Sequence, residues 1–259
     1  MRKENNTVNS ITEGSILQPL LAFFFPILLG SFFQQLYNTV DAVIVGQFVG
    51  KEALAAVGAT GQPIQLLTGF LVGLASGSTV IISQFYGAQR TDDVREAIES
   101  SLFLSLVGGL LLTAIGLIFS APMLRALDTP ADCYNGALLY IQVYFLGTIP
   151  TFLYNMGTGI LRAFGDSRSP MYILVACCLA NIVLDILFVR VFSMGVFGAA
   201  LATILSQLLS AVLIFIPLLR NEELPSFRLR KLRNSAYMTK RILQIGLPAG
   251  LQSSTFAIA

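Results

Sequence analysis

Six stretches of apolar residues, each long enough to cross a lipid bilayer, constrain every other property of this 259-residue chain. They cover residues 19–49, 54–83, 98–124, 137–160, 171–191 and 197–219, and a seventh begins near Ile242. A hydrocarbon layer about 30 Å thick takes roughly 20 helical residues to cross. In lipid a backbone must satisfy its own N–H and C=O groups, so runs of this length are expected to be helices. A soluble core has no use for so much apolar surface: hydrophobic residues make up 55% of the chain and charged residues only 12%, against about 25% charged in soluble domains. The expected fold class is an all-α membrane protein, a six-helix transmembrane bundle followed by a partial seventh transmembrane helix.

The polar punctuation divides the chain into an amino-terminal tail (1–15), a six-helix lobe (16–219), a basic linker (220–241) and the start of a second lobe (242–259). The tail is polar, and the apolar stretch after it runs past Phe33 without a small-residue cleavage site, so a cleaved signal peptide is not expected. Assigning Lys and Arg to alternate loops puts thirteen of the 16 on one side and leaves Lys51, Arg125 and Arg190 on the other. The positive-inside rule then places the amino terminus in the cytoplasm of a multi-pass protein of the plasma (inner) membrane. Arg228, Arg230, Lys231 and Arg233 in the linker are read as topogenic charge beside anionic membrane lipid, not as a nucleic-acid site. Past the linker, Pro248, Leu251 and Ser253 repeat the spacing of Pro26, Leu29 and Ser31, which suggests an internal duplication. An end in mid-helix at Ala259 suggests a fragment.

Enzymatic readings lose most of their parts. There is no His, which removes imidazole metal sites and His-based triads. Cys133, Cys177 and Cys178 form no CxxC pair and no disulfide framework. No nucleophile with a base stands in any loop, so the expectation is a non-enzyme without cofactor.

Chemistry is expected instead from acids sunk in oil. Of 14 acidic residues only Asp41 and Asp185 lie well inside apolar segments. A carboxylate at bilayer depth costs about 2.5–3.5 kcal/mol and needs a partner, a bound cation or a proton. No intramembrane Lys or Arg is available; Arg190 is nearest to Asp185 but sits at the outer helix end, where it can snorkel. With outer ends near Gln47 and Val191, both acids fall roughly 9 Å below the outer surface, and Thr203, counted from Phe197, falls at the same level. Gln34, Tyr37 and Asn38 precede Asp41 at helical spacing, and Asn181 precedes Asp185 by four residues. Two close carboxylates cannot both be ionised cheaply, so they act as a unit that takes up a proton or Na⁺, a hard cation suited to oxygen donors. A hydrogen-bonded clamp between helices is the alternative, but amides alone would serve for that.

Other features point to packing. Gly69, Gly73 and Gly77 form a GxxxGxxxG face expected to pack closely on another helix. Pro26, Pro63, Pro150, Pro217 and Pro248 are expected to interrupt or kink helices. Tyr86, Tyr140 and Tyr144 are interfacial or cavity aromatics, and the sequence does not choose between the two.

Several motifs together resemble the multidrug and toxic compound extrusion (MATE) family. They are Pro26 with QQLYNTVD at 34–41, LAAVG at 54–58, SQFYGA at 83–88, LRAFGDSRSPM at 161–171, NIVLD at 181–185 and GVFGAALAT at 195–203. The resemblance implies one MATE lobe of a two-lobed secondary antiporter that exports cationic or amphipathic small molecules in exchange for H⁺ or Na⁺. It implies a cation-coupling site at Asp41, Asn181, Asp185 and Thr203, which would also be the metal ligands if the ion is Na⁺, and a substrate cavity with Gln34, Tyr37 and Asn38. Family members are about twice as long, so a carboxy-terminal lobe needed for transport is expected to be missing. A lipid-linked oligosaccharide flippase of the same superfamily, or a non-transporting membrane subunit, are the competing readings. The flippase would need a cationic cavity where this chain offers an acidic one.

Overall fold

A computed structural model of the chain describes residues 17–221, 224–225 and 235–256. Among them every long element is a helix: α1 (Leu17–Phe48), α2 (Lys51–Gly87), α3 (Thr91–Ala126), α4 (Ala131–Leu146), α5 (Thr148–Ala163), α6 (Arg168–Asp185), α7 (Gly195–Arg220) and α8 (Ala236–Phe256). A π-helical turn, Ile186–Val191, continues α6. Among the described residues α2, α3, α6 with its π turn, and α7 are each long and apolar enough to cross a membrane, and α4 with α5 makes a fifth span. At 32 residues, α1 reaches about 48 Å from a rise of 1.5 Å per residue.

The segment expected as one helix over 137–160 is broken. Its two halves, α4 and α5, meet at 48° across Gly147. Pro150 supplies no N–H to the turn before it, and the Gly147 N–H bonds back only three residues, to the Tyr144 carbonyl at 2.9 Å. The Phe145 carbonyl beside the break is taken by Thr113 of α3, whose hydroxyl donates to it at 3.0 Å. Pro26, Pro63, Pro217 and Pro248, by contrast, all lie inside continuous helices. Boundaries also move: α3 starts at Thr91, α4 at Ala131 and α8 at Ala236, so Lys240 and Arg241 lie on the first turns of α8 and not in the linker. Of the linker's basic cluster, residues 228–233 fall outside the described residues.

Short turns close by shared means. After α5, Gly165 at φ +83° lets the Asp166 N–H reach the Leu161 carbonyl at 3.0 Å and the Gly165 N–H reach that of Arg162 at 3.0 Å, satisfying orphan carbonyls in a Schellman motif. Asp166 Oδ1 then accepts from the N–H groups of Arg168 and Ser169 at 3.1 and 2.9 Å, starting α6. The LRAFGDSRSP stretch is thus a compact helix stop and start. The turns after α2 and α3 use the same bonds around Gln89 and Asp128, both at positive φ.

The GxxxGxxxG face packs as expected, and its partner is α8. A Cβ on Gly77 would lie 2.7 Å from the Gly246 Cα, and one on Gly69 would lie 3.1 Å from the Ser253 carbonyl oxygen. Gly73 faces the backbone of Gly250. Small residues on both helices let the backbones meet. Around the lobe, α1 packs on α6, α6 on α7, α7 on α4 and α5, these on α2, and α2 on α1, with α3 outside against α4 and α5. This ring encloses the polar groups described next.

Candidate cation site

Asp41 of α1 and Asp185 at the end of α6 are both buried, at 5% and 0% exposure. They lie close enough to interact electrostatically. The Tyr140 hydroxyl of α4 donates to Asp41 Oδ2 at 3.3 Å, while Asp41 Oδ1 has no protein partner. Asp185 has none on either oxygen, and Asn181, one turn earlier on α6, has none on its amide oxygen or nitrogen. Buried polar atoms without partners cost about 1–3 kcal/mol each, so five of them in one region is a large unmet demand for a ligand.

Local sequence explains the convergence. Directly after Asp185 the helix widens into the π turn, closed by the Phe192 N–H on the Leu187 carbonyl at 2.9 Å, and beyond it the Met194 N–H returns to the Phe188 carbonyl at 2.9 Å. Gly198 at the start of α7 then approaches Phe188, with room for no more than a hydrogen as side chain. That close return brings Thr203 of α7, which is fully buried, to the level of the acids. The Tyr37 hydroxyl of α1 donates to Thr203 Oγ1 at 3.4 Å, and Thr203 donates to the Ala199 carbonyl at 3.1 Å. Tyr37 lies within electrostatic range of both Asp41 and Asp185. Arg190 turns away from them and stacks on Phe48 at 5.1 Å from the ring centroid. Neither acid forms an ion pair among the described residues.

Of the residues singled out from sequence, Asp41, Asp185, Asn181, Thr203 and Tyr37 come together. Gln34 and Asn38 do not: both are exposed on α1. Three residues join that the sequence left open or passed over: Tyr140, Tyr144 and Gln207. Tyr140 and Tyr144 are buried, whereas Tyr86 packs against Phe164, ring centroids 4.6 Å apart. Tyr144 in turn meets Thr68 of α2 and Gln207 of α7. Gln207 Oε1 fills the space at Gly147, so the helix break is where an amide from α7 enters the lobe. Beyond the break, Thr148, Thr151, Asn155 and Thr158 recur along α5 at spacings of three and four, one polar face that ends at Arg162 in the last turn of the helix. Thr148 and Thr158 are buried with unpartnered hydroxyls. That spacing was the available signal; the apolar residues between had hidden it.

Among the described residues no three His, Cys, Asp or Glu side chains converge. The donors are two carboxylates with amide and hydroxyl oxygens, a set that fits a proton or a hard monovalent cation better than a transition metal.

A family model, MatE, matches residues 26–187. The chain belongs to the MatE family. The match spans every helix from the Pro26 turn of α1 to the start of the π turn, and so takes in Asp41, Asn181 and Asp185. Among MatE relatives, the probable multidrug resistance protein YpnP of Bacillus subtilis (strain 168) is 34% identical over 246 residues, covering 93% of this chain and 54% of that protein. A MATE protein crystallised in a bent conformation superposes with a TM-score of 0.87 at 30% identity, over 95% of this chain and 55% of its own. A MATE structure in a straight conformation gives 0.87 at 30%, over 99% and 57%. This chain therefore spans about half the length of the relatives it matches, and shares with them an all-helical, multi-pass membrane fold.

Proposed function

We propose that the lobe couples ion movement to the export of cationic or amphipathic small molecules, as one half of a MatE antiporter that exchanges them for H⁺ or Na⁺. The observation that carries this reading is the pair Asp41 and Asp185, buried together with Asn181 and without an ion pair among the described residues. A carboxylate pair in that setting gains a proton or Na⁺ when the lobe takes one arrangement and gives it up when it takes another, and that difference in affinity is what coupling consists of. Tyr140 ties α4 to Asp41, and Tyr37, within electrostatic range of both acids, links α1 to Thr203 of α7, so a change of charge there bears on three helices. That relatives crystallise both bent and straight supports a shape change of this kind. In this chain α1, with Pro26 inside it and much of its apolar surface exposed, is the helix best placed to move.

The reading includes a second lobe acting with this one, an amino terminus in the cytoplasm and a place in the plasma membrane. Its test is efflux of a fluorescent cationic dye from cells carrying the two-lobed transporter with this lobe. Asp41→Asn and Asp185→Asn are each expected to abolish ion-driven efflux at near-normal protein abundance. Efflux that persists in both would remove the acids from the mechanism.

A further inference from the structure

Where α1 and α6 run side by side, they are in close contact at one level and apart at another. A Cβ on Gly30 would touch Leu174 at 3.4 Å, and the Cys178 thiol donates to the Phe33 carbonyl at 3.4 Å. Toward the helix starts the two diverge around a groove of about 280 Å³, walled by Phe25, Pro26 and Leu29 of α1 and by Arg168, Met171 and Tyr172 of α6.

The depth of this groove follows from helix geometry. Counting from Gln47, near the outer end of α1, about 30 Å of hydrocarbon ends near Ile27. Phe25 and Pro26 therefore sit at the boundary between the hydrocarbon and the inner headgroups, and Arg168, at the start of α6 and on the same groove, lies there too. Charge distribution puts this side in the cytoplasm.

Among the described residues Arg168 has no counterion. Its guanidinium makes no hydrogen bond or ion pair among the described residues, and the nearest acid in sequence, Asp166, spends Oδ1 on the backbone N–H groups of Arg168 and Ser169. Tyr172 stands one turn above on the same face, 64% exposed. The groove thus presents apolar walls in the hydrocarbon, with a guanidinium and a phenol hydroxyl where phosphates lie.

We infer that this groove binds an acidic phospholipid of the cytoplasmic leaflet, with its phosphate on Arg168 and the Tyr172 hydroxyl and an acyl chain against Phe25, Leu29 and Met171. Guanidinium and phosphate form paired charge-assisted hydrogen bonds, and the net negative charge of such a lipid complements a groove whose described lining holds Arg168 and no acid. The inference does not depend on which ion or drug is transported.

The chain contains no Trp, so a single introduced indole is a clean reporter. Phe25→Trp would be placed in the chain, reconstituted in phosphatidylcholine vesicles holding a minority of brominated phosphatidylglycerol or brominated phosphatidylcholine. Ile118→Trp, on the outward face of α3 at 69% exposure, is the control. Quenching in Phe25→Trp is expected to favour the brominated acidic lipid about fivefold, the factor expected for one basic side chain near an anionic membrane surface. The preference should survive Arg168→Lys and fall to the control value in Arg168→Gln. Equal quenching by the two lipids, an equal preference at the Ile118 position, or a preference unchanged by Arg168→Gln would each overturn the proposal. So would loss of the preference on adding inorganic phosphate, which would make the site one for free anions.

Discussion

Two glycines of α2 allow the same substitution to be tried with opposite expected signs. Gly77 faces α8: an added Cβ would lie 2.7 Å from the Gly246 Cα and 2.5 Å from the Ile242 carbonyl oxygen. Ordinary contact begins at 3.4 Å, so α8 would have to retreat by about 0.9 Å from its 2.5 Å approach for Gly77→Ala. A gap of 0.5–1 Å gives up a quarter to a half of each dispersion contact. The opposing atoms are backbone and cannot rotate aside, so the retreat spreads along the seam to Gly69 and Gly73. Overpacking of this kind costs about 1–3 kcal/mol. Gly58, on the same helix, has nothing within 4 Å of an added Cβ. Gly58→Ala should therefore gain about 0.5–1 kcal/mol from reduced backbone freedom alone. For a chain of this size, roughly 2–4 °C of melting temperature corresponds to each kcal/mol. Gly77→Ala should then melt about 2–12 °C below the unmodified chain and Gly58→Ala about 1–4 °C above it. Cys133, Cys177 and Cys178 are free and buried, so a thiol-reactive dye in detergent reports unfolding without any added label. If Gly77→Ala melts at or above the unmodified chain, the two helices are not in backbone contact, and if Gly58→Ala falls equally, the loss has another source.

Three further outcomes are expected. Tyr140→Phe removes the hydroxyl that bonds Asp41 at 3.3 Å and should weaken the coupling cation's apparent affinity by about 1 kcal/mol, roughly fivefold, read from the ion dependence of efflux with maximal rate largely kept; unchanged ion dependence would mean that the bond has no part in binding. Thr113→Val leaves the Phe145 carbonyl at the α4–α5 break without its donor and should cost about 1–3 kcal/mol, with Thr113→Ser restoring most of it; thermal unfolding separates the two, and a Val variant as stable as Ser would show that the break needs no hydroxyl. A cysteine at Asp92, exposed at the start of α3, should react with a membrane-impermeant thiol reagent only from the cytoplasmic side; labelling from outside intact cells would invert the orientation.

What could be read from the sequence divides along a physical line. Depth along a helix is a linear count, 1.5 Å per residue, so Asp41, Asp185 and Thr203 could be set at one level before any contact was known, and the structure does bring them together. Azimuth is a harder quantity. Gln34, Tyr37 and Asn38 fall within one broad stripe of α1, yet only Tyr37 turns inward to Thr203; the choice is made by α6 and α7, which are far away in sequence. Hydrogen-bond register is harder still. Hydropathy runs unbroken through Gly147 and through Ile186–Val191, yet the first becomes a 48° break and the second a π turn. Both irregularities lie beside the polar interior, one admitting Gln207 and the other following Asp185 directly. The physical reason is shared. Inside a bilayer a regular helix consumes all its own backbone groups and projects side chains at fixed angles, so an irregular turn is what frees room or redirects a side chain toward a buried ligand. In this lobe an apolar run that ceases to be a regular α-helix is therefore as strong a pointer to the site as a buried acid, and it is the pointer that composition alone cannot supply.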